Sequence, residues 1–404
     1  MAYIFVADDF TGASDTLATL ARAGIRTRLF RDVPEASALL GLEAWGIATC
    51  ARSLDRAGIA RLAAEIGAGL APHEPDFLHV KVCSTFDSSP ETGNIALLAQ
   101  GLADALGISD IAVIGGQPSL GRHAVFGTLF ARGPDGQVHR IDRHPVMSVH
   151  PVTPMHEADL IRHLATLGLN GLQHVGRARC GGAFPRFYDA LDQADISAIG
   201  RDLLSTGNRL LVMGASSVAE AWLAAQPVRA HVTYPPAASK GPVFAFAGSR
   251  SSLTTSQIAA ASGFSCLPLN PGELMAQTET FDAAAAWSKE RLDRGQDCVV
   301  YLTAEKAAGS SAADIARMSA EFVAQVVETS GIGGLVVAGG DTSSAIVNRL
   351  APCWLDHAGD ICAGVPLLRA GYCGTDLLLA LKGGQMGGED FFPRALAAIR
   401  RQPH

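Results

Sequence analysis

The sequence is short of charge and has no run of lysine or arginine. Only 18% of its 404 residues are Asp, Glu, Lys or Arg, and the formal net charge is -7. That argues against nucleic acid as a partner. A small acidic substrate stays possible, because local rather than net charge binds it. No apolar stretch approaches membrane-spanning length. The apolar start is too short for a signal peptide and has no basic leader, so the expectation is a cytoplasmic protein with no membrane partner. The eight cysteines contain no Cys-x-x-Cys pair and are scattered. They read as reduced, mostly buried thiols. Several motifs are also missing. There is no G-x4-G-K-[ST], no G-x-G-x-x-G after a strand, no G-x-S-x-G and no H-E-x-x-H, which removes support for a Walker-type, nicotinamide-binding, nucleophile-elbow or zincin reading.

What is present is apolar and rich in glycine: 48% of residues are hydrophobic and 43 are glycine. The length is too great for one ordinary core and favours two domains. Apolar runs alternate with small or polar loops and helical segments, the pattern of an α/β fold with parallel sheets. In the first half the runs are Tyr3–Ala7, Gly46–Thr49, Phe77–Val82, Ile111–Gly115 and Leu210–Met213. In the second they are Val243–Ala247, Val299–Thr303, Leu335–Ala338 and one near Leu377–Leu381. The proline-rich stretch 235–242 reads as a linker, which predicts domains 1–238 and 239–404. Both halves look doubly wound, with mainly parallel sheets and an active-site crevice expected between them.

Polar groups gather where strands end. Asp8 and Asp9 follow the first run, where ligands sit in open α/β sheets, and the side-chain alternation requires only one of them to face a crevice. Alternatively, both solvate a loop or cap the next helix. Arg52 follows the second run. Lys81 ends the third and shares a face with His79; buried there, it requires either a bound anion or an internal partner such as Asp87. Ser88 to Glu91 reads as a helix start. Arg122 is suited to gripping a carboxylate with two parallel hydrogen bonds, or is an ordinary surface arginine. The segment His144–Met155 reads as an ordered irregular loop rather than a zinc site. In the second half one device appears three times. Phe246-Ala-Gly-Ser-Arg-Ser251, Val337-Ala-Gly-Gly-Asp-Thr342 and Leu381-Lys-Gly-Gly384 each carry a strand into a loop of small residues. Such backbones approach ligands closely, their helix-start N–H groups point at anions, and Lys382 adds charge, so together they suit a polyphosphate.

The ordered set Val6-Ala-Asp-Asp-Phe-Thr-Gly-Ala-Ser-Asp15, Lys81-Val-Cys-Ser-Thr-Phe-Asp-Ser-Ser-Pro90, His144-Pro-Val146, Val152-Thr-Pro-Met155, Gly248-Ser-Arg-Ser251, Gly339-Gly-Asp-Thr-Ser343 and Gly364-Val-Pro366 resembles the four-carbon acid sugar kinase family. The second motif is similar to the branch containing 3-oxo-tetronate kinases. The resemblance implies an amino-terminal acid-sugar domain and a carboxyl-terminal ATP domain. It further implies ATP with Mg²⁺ and transfer to the terminal hydroxyl of a short sugar acid. Carried over, it places Asp8, Arg52, Lys81, Val82, Cys83 and Ser84 at the acid, with Arg122 a further candidate. It places Ser249, Gly339, Gly340, Asp341, Thr342 and Gly384 at the nucleotide, to which the reading of the three small-residue loops adds Ser251, Lys382 and Gly383. Phosphoryl transfer by these residues would have one of Asp8 and Asp9 take the proton of the attacking hydroxyl or orient it, and Asp341 contact Mg²⁺ through water. Three motifs depart from the family: Gly115-Gly-Gln-Pro-Ser-Leu-Gly-Arg-His123 for Pro-x-x-Pro-x-x-Gly-Arg-Thr, Lys382-Gly-Gly-Gln-Met-Gly387 for Lys-Ser-Gly-Asn-Phe-Gly, and Asp341 for glutamate. The first lies on the substrate side and leaves room for a relative of the usual acid, such as a branched 3-oxo acid. The expected partner is a small acid sugar; a homodimer is an open assembly. Two competing functions are a nucleotide-independent aldolase or isomerase, with Lys81 as Schiff base, and a non-catalytic sugar-acid sensor.

Overall fold

The computed structural model describes residues 3–150, 152–177, 181–227, 241–276, 279–305, 307 and 309–400. The chain divides into two units, 1–232 and 233–404. The expected boundary at residue 238 lies outside the described residues. Among the described residues no helix is long and apolar enough to cross a membrane.

The first unit contains β1 (Tyr3–Ala7), β2 (Thr27–Phe30), β3 (Ala44–Ala48), β4 (Phe77–Lys81), β5 (Asp110–Ile114), β6 (Gly116–Gln117), β7 (Arg122–Val125), β8 (Thr128–Arg132), β9 (Val138–Arg140), β10 (Gln173–Val175), β11 (Arg186–Tyr188) and β12 (Leu210–Gly214). Its main sheet is ordered β10-β11-β5-β12-β4-β1-β3-β2. Every neighbouring pair in it is parallel. Strands β1, β3, β4 and β12 are buried at every position, as central parallel strands covered on both faces must be. Strands β6 to β9 form a small antiparallel sheet that the apolar runs do not announce.

The second unit contains β13 (Val243–Ala247), β14 (Ser265–Leu269), β15 (Cys298–Leu302), β16 (Gly334–Ala338), β17 (Leu355–Cys362), β18 (Val365–Tyr372) and β19 (Thr375–Lys382). Their order is β17-β18-β19-β16-β13-β15-β14. The last five strands of that order pair in parallel. Strands β17 to β19 form an antiparallel meander. Two tight turns make it, with Gly364 and Gly374 both at positive φ. Pro268 is tolerated within β14 because that strand lies at the end of this order and pairs through one side.

Two local expectations change. The helix expected at Ser88–Glu91 starts at Ile95, because the Asn94 side chain caps it by accepting from Leu97 N–H at 2.8 Å. Ser88 instead donates to the carbonyl of Gly93 at 2.8 Å. The cysteines are free but less buried than expected. Among the described cysteines Cys266, Cys353 and Cys373 are exposed and only Cys298 is fully buried, because the exposed ones sit on an edge strand, before a strand and in a turn. Cys180 lies outside the described residues.

Candidate functional site

The carboxyl ends of the central strands bring the first group of side chains together. Strand β1 pairs with β3 on one side and β4 on the other, so the residues following Ala7, Ala48 and Lys81 converge. Backbone bonds fix the junction: Asp8 N–H donates to the carbonyl of Lys81 at 3.0 Å, and Arg52 N–H donates to that of Asp8 at 3.1 Å.

The two adjacent carboxylates have different surroundings. Asp9 adopts an extended backbone and caps the helix Phe10–Arg22, accepting from Gly12 N–H at 2.6 Å. Its other oxygen lies 3.7 Å from Arg52 Nη1. Asp8 is 2% exposed, and its Oδ1 has no partner among the described residues. Burial pushes its pKa up to about 7, helped by the negative charges of Asp9 and Asp87 and opposed by Arg52 and Lys81. A carboxyl with that pKa can exchange a proton near neutral pH.

Lys81 is buried as the sequence implies, and its ammonium donates to the carbonyl of Val82 at 2.8 Å. A Cβ on Gly12 would come within 2.6 Å of Lys81 Nζ, so the helix start and the ammonium are packed together. The internal partner considered for Lys81, Asp87, pairs with Arg52 instead. Cys83 Sγ lies 2.9 Å from Thr85 Oγ1, and Cys83 and Ser84 are partly exposed in the turn that follows β4. Val82 is fully buried and contributes only backbone. His79 is buried between Tyr3 Oη at 2.8 Å and the carbonyl of Gly214 at 3.2 Å, and burial pushes its pKa down to about 3, so it is neutral.

Arg122 stands apart from these contacts. It opens β7 in the small antiparallel sheet, where its guanidinium donates to the carbonyl of Leu120, and its buried Nε has no partner among the described residues. Sequence reasoning did not place Asp87, Thr85 or Thr153 in the site, yet the Asp87 carboxylate accepts from Arg52, from Thr85 and from Thr153 Oγ1, the last at 3.1 Å. The signal available was the Arg52–Asp87 charge pair, which lies 35 residues apart in sequence.

In the second unit the three loops expected to act together do meet. Gly248 and Ser249 N–H groups both donate to the carbonyl of Ala338, at 2.9 and 3.0 Å, and Gly339 N–H donates to that of Lys382 at 2.8 Å. Ser251 caps the helix Ser252–Ala259 by accepting from Thr254 N–H, and its hydroxyl donates to the carbonyl of Gly384 at 2.8 Å. Thr254 Oγ1 donates to the same carbonyl at 3.2 Å. The glycines are required by closeness. A Cβ on Gly248 would lie 2.2 Å from Thr342 Oγ1, and one on Gly384 would lie 2.5 Å from Ser249 Oγ. Gly339, at φ +130, starts the helix Gly340–Leu350, whose first turn carries exposed Asp341 and buried Thr342.

Lys382 is fully buried and donates to Thr254 Oγ1 at 3.4 Å and to the carbonyl of Gly383 at 3.1 Å. Burial pushes its pKa down to about 8. Gln257, which the sequence did not single out as a site residue, donates to the carbonyls of Met386 and Gly388 at 3.0 and 2.8 Å and so pins the far end of the third loop. A nucleotide's phosphates fit this donor set, because it offers close backbone, hydroxyls, a helix N-terminus and one buried ammonium. Asp341 is an exposed carboxylate in the first turn of that helix, and Mg²⁺ is often held by one or two carboxylates alongside phosphate oxygens.

Residues 3–222 match the family model of a sugar-binding N-terminal domain, and residues 244–392 that of a nucleotide-binding C-terminal domain. The chain belongs to the four-carbon acid sugar kinase family. It is a carbohydrate kinase of that family. A 3-oxo-tetronate kinase of Methylobacterium radiotolerans is 33% identical over 423 residues, covering 97% of each chain. A 3-oxo-isoapionate kinase of Paraburkholderia graminis is also 33% identical, over 96% of this chain and 92% of its own length. A solved Salmonella typhimurium structure superposes with a TM-score of 0.77 at 26% identity, covering 98% of both chains.

Proposed function

We propose that this kinase transfers the terminal phosphoryl group of ATP to the terminal hydroxyl of 3-oxo-tetronate or a related 3-oxo acid, branched ones included. The observation that carries the proposal is Asp8: a buried carboxyl with one unpartnered oxygen, beside Arg52 and Lys81. ATP with Mg²⁺ supplies the phosphoryl group. Positioning and charge neutralisation are then the main tasks left to the protein. In the acid-binding half, 1–238, Arg52 and Lys81 hold the substrate carboxylate and hydroxyls, with the Val82–Ser84 turn alongside. Asp8 accepts the proton of the attacking hydroxyl, and Asp9 remains the helix cap. In the nucleotide-binding half, 239–404, Ser249, Ser251, Gly339, Gly340, Thr342 and the Lys382-Gly383-Gly384 loop hold the phosphates, and Asp341 serves the metal.

Support for the acid comes from the relatives, one named for a 3-oxo-tetronate and one for a 3-oxo-isoapionate. The altered loop Gly115–His123 falls within the matched sugar-binding domain and departs from the family pattern, which makes the branched acid the relevant competitor. The test is a panel of tetronates and 3-oxo acids with ATP and Mg²⁺, read as ADP release. Acid-dependent ADP release supports the proposal. Turnover of the acid without ATP, or binding without turnover, would overturn it.

A further inference from the structure

We infer that Asp87 is a positioning residue for Arg52: its buried carboxylate, held by donors from three parts of the first unit, aims the guanidinium at the acid substrate. The inference rests on the reading above that Arg52 binds the acid.

The Asp87 side chain is completely buried, whereas that of Arg52 keeps 20% of its surface exposed. Both Asp87 oxygens are already engaged by Arg52, Thr85 and Thr153, whereas Arg52 still presents exposed surface, so Arg52 is the member of the pair left to meet substrate. The donors to Asp87 converge from separate segments. Arg52 comes from the short turn after β3, Thr85 from the loop after β4, and Thr153 from the proline-rich segment that follows Ile141–Arg143. Burial alone would push the Asp87 pKa up; the Arg52 guanidinium and the Thr85 hydroxyl outweigh it and hold the carboxyl below its usual value. Asp87 is thus an anion that anchors one end of Arg52, while Nη1 at the other end lies 3.7 Å from Asp9.

The backbone at this point is also unusual. Phe86, the residue before Asp87, is fully buried and sits at φ +54, in the left-handed region that a bulky side chain seldom enters. Its carbonyl is held by His163 Nε2 at 3.0 Å. Local strain of this kind persists only where the surroundings over-determine it, and it collects at functional sites. Here its effect is to deliver the next carboxylate to Arg52. A single fixed guanidinium matters because misplacement of a binding group by about 1 Å can cost roughly 10²-fold in rate.

The test compares wild type, Asp87→Asn, Thr153→Val, Arg52→Ala and the double variant Arg52→Ala/Asp87→Asn, with 3-oxo-tetronate, ATP and Mg²⁺. KM is measured separately for acid and nucleotide, and folding is checked by thermal unfolding. The expected result for Asp87→Asn is a roughly 10²-fold loss of kcat/KM for the acid with nucleotide KM unchanged. Thr153→Val, which removes one donor of three, falls between it and wild type. Free guanidinium ion restores part of the activity of Arg52→Ala but not of the double variant, a difference that a purely structural role would not produce. Equal rescue of both, or wild-type acid kinetics in Asp87→Asn, would overturn the inference. Should Asp87→Asn fail to fold, wild-type acid kinetics in Thr153→Val would overturn it instead. Absence of any acid turnover by wild type would remove the substrate reading and this inference together, whereas wild-type turnover with an unaffected Asp87→Asn removes the inference alone.

Discussion

The two halves handle charge in different ways. In the first unit Asp8, Asp9, Arg52, Lys81 and Asp87 influence one another at close range. In the second, one buried lysine stands among hydroxyls and main-chain groups, and the carboxylate of Asp341 is exposed. The contrast follows from the chemistry each would serve. A hydroxyl that must lose a proton needs a carboxylate whose pKa lies near the working pH. Phosphates need many donors and few charges, which a glycine backbone can supply.

The first unit should be the more sensitive of the two to a single substitution. Asp8→Asn should lower kcat by about 10²–10⁴-fold, the usual range for a lost general base, while nucleotide affinity stays unchanged. The same variant should be the more stable protein above neutral pH. Asp8 titrates at about 7 in the folded chain, raised from 3.8, so the unfolded chain loses this proton first. The stability that the protonated group contributes is therefore lost as pH rises through about 7. Asparagine removes that loss, and chemical denaturation at pH 4 and pH 8, which span nearly all of the window from 3.8 to about 7, would reveal it. For wild type, kcat/KM for the acid should rise with pH through about 7 as Asp8 ionises.

Next in size is the second half. Gly339→Ala places a Cβ 3.0 Å from Ser249 N at φ +130, and Gly248→Ala drives one into Thr342 Oγ1. Both should raise the KM for ATP and leave that for the acid unchanged. The first adds a backbone cost of about 1–2 kcal/mol in unfolding free energy. Lys382→Met should also weaken ATP binding, yet stabilise the apo protein below pH 8. The folded pKa of Lys382 is lowered from 10.5 to about 8, so its contribution is present above 10.5 and is lost as pH falls through 8. Smallest is Asp9. Asp9→Ala removes a helix cap at a cost of about 1 kcal/mol, and Asp9→Asn, which can still cap, should be nearly neutral in both stability and rate.

Much of this was legible in the sequence because the signals were local. The run Tyr3–Ala7 is β1 residue for residue, and Val243–Ala247 is β13. The glycine loops after β13, β16 and β19 converge because each follows a strand of one parallel or adjacent set. What escaped was either weakly patterned or distant. Strands β10 and β11 are three residues each, and β17 and β18 alternate too irregularly to stand out. The sequence suggests Asp87 only as a partner for Lys81, since sequence order cannot show that the turn carrying Arg52 reaches it. Arg122 looked similar to Arg52 in sequence but belongs to the small antiparallel sheet, which no apolar run announces. The difference between Asp8 and Asp9 was likewise invisible, because it depends on which of two adjacent side chains caps a helix and which is left buried without a partner.

The proposed chemistry assigns to Asp8, rather than to its neighbour, the proton transfer in an ATP-dependent step on a sugar acid. Its most direct test is ADP release from ATP and Mg²⁺ in the presence of 3-oxo-tetronate by wild type, Asp8→Asn and Asp9→Asn. The predicted result is acid-dependent release by wild type and by Asp9→Asn, with Asp8→Asn close to background. Release by Asp8→Asn at the wild-type rate would show that Asp8 is not the base.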